Sequence, residues 1–129
     1  MKLLLDTHVV VWAIYSPHLL SPRVQALVED EDNELLFSYA SLWELLAKVG
    51  RGKLLAAGTS VESVSDRIIS LGVTLLRIEV PHILLSAKLP HHHSDPFDRL
   101  LIAQALTEKL LLVSSDPILE RYGTPVVWN

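Results

Sequence analysis

The sequence contains no cysteine and no apolar run that approaches a membrane span. Without cysteine, disulfides and thiolate zinc sites are excluded, and a reducing cytoplasm is the compartment that we predict. A membrane helix needs about 18 or more consecutive apolar residues, so we expect no contact with a membrane. The apolar N-terminus is interrupted by Asp6 and His8 and lacks a small-residue cleavage site, so we interpret it as mature structure.

Basic residues are also too few for a passive nucleic-acid binder. Fifteen acidic residues stand against eleven Lys and Arg, which gives a net charge of −4. If four carboxylates bound a cation, the remaining charges would balance, and this would suit an enzyme with one acidic pocket. The hydrophobic fraction is 50% and the mean hydropathy is +0.34, which indicates apolar surface at interfaces. The length of 129 residues predicts one domain, residues 1–129.

Short apolar, β-rich stretches alternate with stretches of helical period along the chain. KLLL precedes THVVVWAIY, ELLFSY precedes SLWELLAKVG, and KLLLVS precedes DPILERY. This alternation predicts a mainly parallel sheet that is covered by helices on both faces. Ligands of such sheets bind at the carboxyl ends of the strands, so polar residues at those ends are candidates for a site.

Two aspartates directly follow predicted strands. Asp6 follows KLLL and precedes a helix, where a helix-capping role and a metal-binding role are equally compatible with the sequence. Asp116 follows KLLLVS and precedes Pro117, and considered alone it fits a cap. The carboxyl ends of neighbouring parallel strands lie at one edge of the sheet, so the two carboxylates can come together.

Two further acids lie in predicted helices. Glu44 has the spacing of a capping box with Ser41 and can also pair with Lys48, so its local pattern favours a surface role. Asp98 is in phase with the apolar face of its helix, and a charge on that face requires a partner. Its neighbour Asp95 precedes Pro96 and is interpreted as an N-cap.

Taken together, Asp6, Glu44, Asp98 and Asp116 form a set of oxygen ligands suited to Mg²⁺ or Mn²⁺. The consecutive histidines His91, His92 and His93 are interpreted as solvated residues. The tryptophans Trp12, Trp43 and Trp128 are expected to be core or interface anchors, and not surfaces on which bases stack. Lys48, Arg51 and Lys53 form either a solvated helix end or a phosphate-binding cluster.

Four blocks of the sequence resemble PIN-domain ribonucleases of the VapC toxin type. They are LLLDTHVVVW, SYASLWELLAKVGRGKL, HHSDPFDRLLIAQA and LLLVSSDPIL, and they span nearly the whole chain. The resemblance implies a three-layer α/β/α sandwich and metal-dependent cleavage of RNA that leaves a 5′-phosphate. It also implies two partners, an antitoxin and a second copy of the chain.

The acidic residues of that family fall on the four acids identified above. Arg99 matches the basic residue that follows, Ser114 matches a hydroxyl residue beside the last acid, and both are candidates for substrate contacts. Ser94 stands where members of the family often have a basic residue. Two alternatives remain open, a receiver-like signalling module that binds Mg²⁺ and a PIN-like module without catalytic activity.

Overall fold

The strands form where short leucine-rich and valine-rich segments can be covered on both faces. A computed structural model describes residues 1–129 and contains five strands, six α-helices and two short 3-10 helices. The strands are β1 (Lys2–Leu5), β2 (Glu34–Ser38), β3 (Thr74–Leu76), β4 (Leu111–Val113) and β5 (Val126–Val127). The α-helices are α1 (Thr7–Tyr15), α2 (Pro22–Glu29), α3 (Tyr39–Gly50), α4 (Val61–Ser70), α5 (Val80–Lys88) and α6 (Pro96–Glu108). The 3-10 helices are Pro17–Leu19 and Pro117–Tyr122.

All five strands are parallel and lie in the order β3-β2-β1-β4-β5. Successive connections run outward from β1 to β3, and the chain then returns to β4 on the other side of β1. The strand order therefore reverses between β1 and β4, and such a switch point opens a crevice at the carboxyl ends of the strands. Receiver-type modules have the order 2-1-3-4-5, so this sheet excludes the receiver-like alternative.

Alternate residues of β1 face two separate apolar cores. Leu3 and Leu5 pack with buried residues of α1 to α4 on one face of the sheet. Leu4 packs on the other face with α6 and the 3-10 helix Pro117–Tyr122. The molecule therefore has the predicted three-layer α/β/α architecture, with the sheet buried between two helical layers. No helix combines the length and the apolar character that crossing a membrane requires.

The ends of the helices follow capping chemistry, with one difference from the prediction. Asp95 accepts a hydrogen bond from the Phe97 backbone at 2.8 Å, which confirms its role as the cap of α6. The predicted capping box of Ser41 and Glu44 is wrong, because α3 already begins at Tyr39 and its cap is Ser38. Glu44 thus lies in the second turn of α3, and its carboxylate is free of the capping role.

Candidate active site

A polar cavity of about 250 Å³ opens at the carboxyl ends of the central strands. Its lining contains no hydrophobic residue. The four acids predicted from the sequence all lie in this lining, together with one lysine and one histidine. The lining residues are Asp6, Thr7, His8, Glu44, Lys48, Asp95, Asp98, Ser115 and Asp116.

The fold brings each acid to the cavity from a different segment. Asp6 directly follows β1, and Asp116 lies three residues after the end of β4, the neighbouring strand. Glu44 lies on α3 and Asp98 lies in the first turn of α6, two helices that pack against each other. The cavity therefore lies at the switch point between β1 and β4, where the topology favours a ligand.

Two hydroxyl groups orient two of the carboxylates. The Ser114 hydroxyl donates to Asp6 Oδ2 at 2.7 Å, and it accepts the backbone N–H of Asp116 at 3.1 Å. The Thr7 hydroxyl donates to Glu44 Oε1 at 3.1 Å. Ser114 and Thr7 are both buried, so water does not compete for these bonds and the two carboxylates keep their orientation. The structure thus places Ser114 beside Asp6, where it positions a carboxylate.

His93 links the other two acids. Its Nε2 lies 3.0 Å from Asp98 Oδ2 and 3.2 Å from Asp116 Oδ2. The backbone N–H of Asp95 points at His93 Nδ1 across 3.2 Å, so Nδ1 acts as acceptor and the proton belongs on Nε2. The Nε2–H group therefore donates to both carboxylates and holds them together.

The structure corrects the interpretation of His93 as a solvated residue. Its side chain is only 18% exposed, whereas His91 and His92 are exposed as predicted. Periodicity could not reveal this difference, because Asp116 is 23 positions away in the chain. The only local signal is the position of His93 two residues before the helix cap Asp95.

Crowding of the acids changes the acidity of Asp98. Burial, the largest cause, and repulsion from Asp6 together raise the pKa of Asp98 from 3.8 to about 7. Repulsion from Asp95 and Glu44 acts in the same direction, whereas His93 lowers the pKa. Without a cation, ionising all of these carboxylates together therefore costs free energy.

A hard divalent cation fits this set of ligands. The cavity has carboxylate oxygens from four segments and no sulfur ligand, which suits Mg²⁺ or Mn²⁺ and disfavours a thiolate metal site. Carboxylate oxygens of Asp98 and Asp116 and a ring nitrogen of His93 all lie within 4.8 Å of one another. A cation would also neutralise the repulsion that raises the pKa of Asp98.

Comparison with known families agrees with this geometry. The model of the PIN domain family matches residues 3–125, which is nearly the full chain. The chain belongs to the PIN domain family. PIN domains are generally nucleases that depend on divalent metals, which agrees with the acidic cavity. No curated protein matches the sequence of this PIN domain.

Solved structures share the fold of this PIN domain at low sequence identity. VapBC2 from Rickettsia felis, bound to a DNA fragment from its promoter, matches with a TM-score of 0.72 and 19% identity over 100% of both chains. VapBC-1 from nontypeable Haemophilus influenzae matches with a TM-score of 0.68 and 18% identity, covering 98% of this chain and 97% of the other. FitAcB from Neisseria gonorrhoeae gives 0.67 and 22%, covering 98% and 96%. These matches confirm the predicted fold class.

The basic residues of this PIN domain divide into two groups. Lys48 lines the acidic cavity and pairs with Glu44 across 3.5 Å, as its spacing predicted. Arg51 is exposed and lines an adjacent cavity, whereas Lys53 is exposed and lines neither. Only Lys48 of the three therefore lines the acidic cavity, and the contacts of all three with substrate stay predictions.

Arg99 has a structural role in place of the substrate contact that its position suggested. The residue is only 8% exposed, and its guanidinium donates to the backbone carbonyls of Ser86, Leu89, Pro90 and His93 at 2.8 to 3.3 Å. All of its bonds thus go to the last turn of α5 and to the loop that joins α5 to α6. The geometry argues against contact with RNA, because the guanidinium is committed to fixing the loop that carries His93.

Proposed function

We propose that this PIN domain is a metal-dependent ribonuclease and the toxin of a VapC-type toxin-antitoxin pair. The observation that carries the proposal is the convergence of Asp6, Glu44, Asp98 and Asp116 on one polar cavity. Each acid comes from a different segment, and each has a hydrogen-bonding partner in the side chain of Thr7, Ser114 or His93. Such preorganisation is unnecessary for surface caps and suits a set of cation ligands. It therefore favours an active enzyme over the silent module.

In the proposed mechanism, the four carboxylates hold Mg²⁺ or Mn²⁺ directly or through water. When bound, the cation lowers the pKa of water and neutralises charge on the phosphate under attack. Ser114, Thr7 and His93 keep the carboxylates in place, so little reorganisation is required during the reaction. Lys48 lines the same cavity and offers a positive charge to a phosphate oxygen.

The proposed reaction is hydrolysis of an RNA phosphodiester. Water attacks phosphorus, a new P–O bond forms, and the bond to the 3′ oxygen breaks. The 3′ oxygen takes up a proton that solvent relays from the attacking water. The products are therefore a 5′-phosphate and a 3′-hydroxyl. The choice of RNA over DNA is supported by the resemblance of the four sequence blocks to VapC-type ribonucleases.

The proposed partners are an antitoxin and a second copy of the chain. VapBC2 and VapBC-1, which share this fold, support an antitoxin partner. Support for a homodimer comes from one exposed apolar face of α5, where Val80, Ile83 and Leu84 are each at least half exposed. We place the pair in the cytoplasm, the compartment predicted from the cysteine-free sequence.

The test of the proposed function is RNA cleavage by the purified chain before and after removal of divalent ions. Chelation is expected to stop cleavage, and added Mg²⁺ or Mn²⁺ is expected to restore it and to yield 5′-phosphate ends. Asp98→Asn is expected to abolish cleavage while the chain stays folded. Full cleavage after exhaustive chelation would contradict the proposed mechanism.

Asp95→Asn is the matched control, because it changes a neighbouring carboxylate in the same cavity. Asparagine caps helices about as well as aspartate, so α6 is expected to keep its N-terminus. This variant is expected to retain most of the cleavage. An equal loss of activity in Asp95→Asn and Asp98→Asn would contradict the assignment of Asp95 as a helix cap and of Asp98 as a metal ligand.

A further inference from the structure

An exposed pair of aromatic side chains borders the acidic cavity. Trp43 is 68% exposed, so it is not the core anchor that the sequence allowed, and an interface role stays a prediction. Nothing in the sequence indicated that bases stack on this ring. Its ring lies edge-on to Phe97, with 5.5 Å between centroids and 63° between planes. Trp12 and Trp128 behave as predicted, since they pack against each other and the main core. Trp43 therefore contributes little to the core and is free to contact a ligand.

The aromatic pair is joined to the active site by chain neighbours and by a shared wall. Trp43 precedes Glu44 on α3, and Phe97 precedes Asp98 on α6. A second cavity of about 160 Å³ is lined by Trp43, Glu44, Ala47, Lys48, Arg51 and Phe97. Glu44 and Lys48 also line the acidic cavity. A strand whose phosphate occupies the acidic cavity would thus extend directly onto the aromatic pair.

The same cavity contains two cations. Lys48 lies between the two cavities, and Arg51 is exposed and directly follows the last residue of α3. An aromatic face combined with backbone-directed cations is the arrangement that proteins use to hold single-stranded nucleic acid. An apolar protein segment would use the rings but would have no need of the cations.

We propose that Trp43 and Phe97, with Lys48 and Arg51, form a subsite for one nucleotide of the RNA next to the scissile phosphate. The base stacks on the Trp43 ring, and Phe97 supports that ring. Arg51 faces the phosphate of that nucleotide, and Lys48 lies between this phosphate and the scissile one. This inference rests on the proposed ribonuclease function and adds a determinant of substrate binding.

Steady-state cleavage of a short single-stranded RNA tests the subsite. Trp43→Ala is expected to raise KM by roughly 5- to 150-fold, because stacking on an aromatic ring contributes about that factor per base, while kcat changes little. Trp43→Phe is expected to recover most of the loss because it keeps an aromatic face. Ile69→Ala removes an equally exposed apolar side chain on α4, away from both cavities, and is expected to leave KM unchanged.

Substrates with a single abasic nucleotide identify the base that Trp43 binds. For the wild-type protein, one abasic position next to the cleaved bond is expected to raise KM as much as Trp43→Ala does. For Trp43→Ala, the same abasic substrate is expected to cause no further rise. This loss of additivity would assign the contact to that base.

The outcomes separate the subsite from the function on which it rests. Cleavage by wild-type protein with an unchanged KM for Trp43→Ala would overturn the subsite and leave the ribonuclease proposal intact. If that variant instead lost only inhibition by a co-expressed protein, the rings would hold a protein segment, and the RNA subsite would also be overturned. An absence of metal-dependent cleavage by the wild-type protein would overturn the proposed function itself.

Discussion

Replacing Asp98 with asparagine is expected to stabilise the metal-free protein at alkaline pH. In the folded chain burial and neighbouring acids raise the pKa of Asp98 from 3.8 to about 7. The folded state therefore binds the proton more tightly than the unfolded state does. The stability from this proton is complete below about pH 4 and is lost as pH rises through about 7. Asparagine resembles the neutral acid, so the variant avoids that loss.

The size of the effect follows from the pKa and from the exposure of the side chain. At roughly 1.4 kcal/mol per pKa unit, the rise corresponds to at most about 4 kcal/mol. The Asp98 side chain is 25% exposed, so solvent and salt screen part of this cost, and we expect about 1–2 kcal/mol. For a chain of this length 1 kcal/mol corresponds to about 4 °C in Tm. Asp98→Asn is therefore expected to raise Tm by about 4–8 °C.

The assay is thermal unfolding in a chelator at about pH 5 and about pH 8, one value on each side of the raised pKa. The difference between Asp98→Asn and wild type is expected to be large at alkaline pH and small at acidic pH. Mg²⁺ should reverse the order, because binding at 100 times Kd stabilises the wild type by about 2.7 kcal/mol, or roughly 10 °C. The variant lacks one ligand and is expected to respond weakly.

Asp66→Asn is the matched control for this measurement. Asp66 is an exposed acid on α4 outside the cavity, and its replacement removes the same charge. The control is expected to follow wild type at both pH values and to keep the full response to Mg²⁺. Two results together would contradict both the raised pKa and the ligand role of Asp98. They are a Tm of Asp98→Asn in chelator that is no higher than that of wild type at alkaline pH, and a full rise of its Tm with Mg²⁺.

Two further predictions concern the segment before α6 and the arginine that holds it. His93→Ala is expected to weaken Mn²⁺ binding by about 10- to 100-fold in calorimetry, whereas His93→Gln keeps an N–H donor and should lose less affinity. Equal affinities for wild type and His93→Ala would contradict the bridging role of His93. Arg99→Ala leaves four backbone carbonyls without their donor and is expected to lower the free energy of unfolding in urea by about 3–5 kcal/mol. Arg99→Lys is expected to lower it by less. Wild-type stability of Arg99→Ala would contradict this role of Arg99.

The two aspartates after the strands could be located from the sequence because topology places them. Asp6 follows β1 and Asp116 follows β4, and the pairing of these strands brings both to the same edge. Asp98 was identified by its phase on α6, since a charge on the inner face requires a partner. For these three residues, local sequence pattern and the position of ligand sites at the carboxyl ends of parallel strands were sufficient to predict a place in the cavity.

The remaining residues depend on contacts that no local pattern contains. The local pattern of Glu44 favoured a surface role, because Thr7, the residue that holds its carboxylate, lies 37 positions earlier in the chain. Arg99 was a candidate for a substrate contact because it matches a basic position of VapC-type ribonucleases. The backbone carbonyls that accept its hydrogen bonds leave no periodic signal in the sequence. Trp43 occupies a helix with an apolar stripe, and only the packing of α3 on α6 shows that its ring faces solvent.

Anomalous diffraction from crystals containing Mn²⁺ tests whether the four carboxylates bind a cation, because it locates the cation without reference to activity. We expect a peak inside the polar cavity, at roughly 2.0–2.2 Å from carboxylate oxygens of at least two of Asp6, Glu44, Asp98 and Asp116. The Asp98→Asn crystal should show a weak peak or none. A strong Mn²⁺ peak elsewhere, with this cavity empty at saturating Mn²⁺ in a protein that cleaves RNA, would contradict the claim that these four carboxylates form the metal centre.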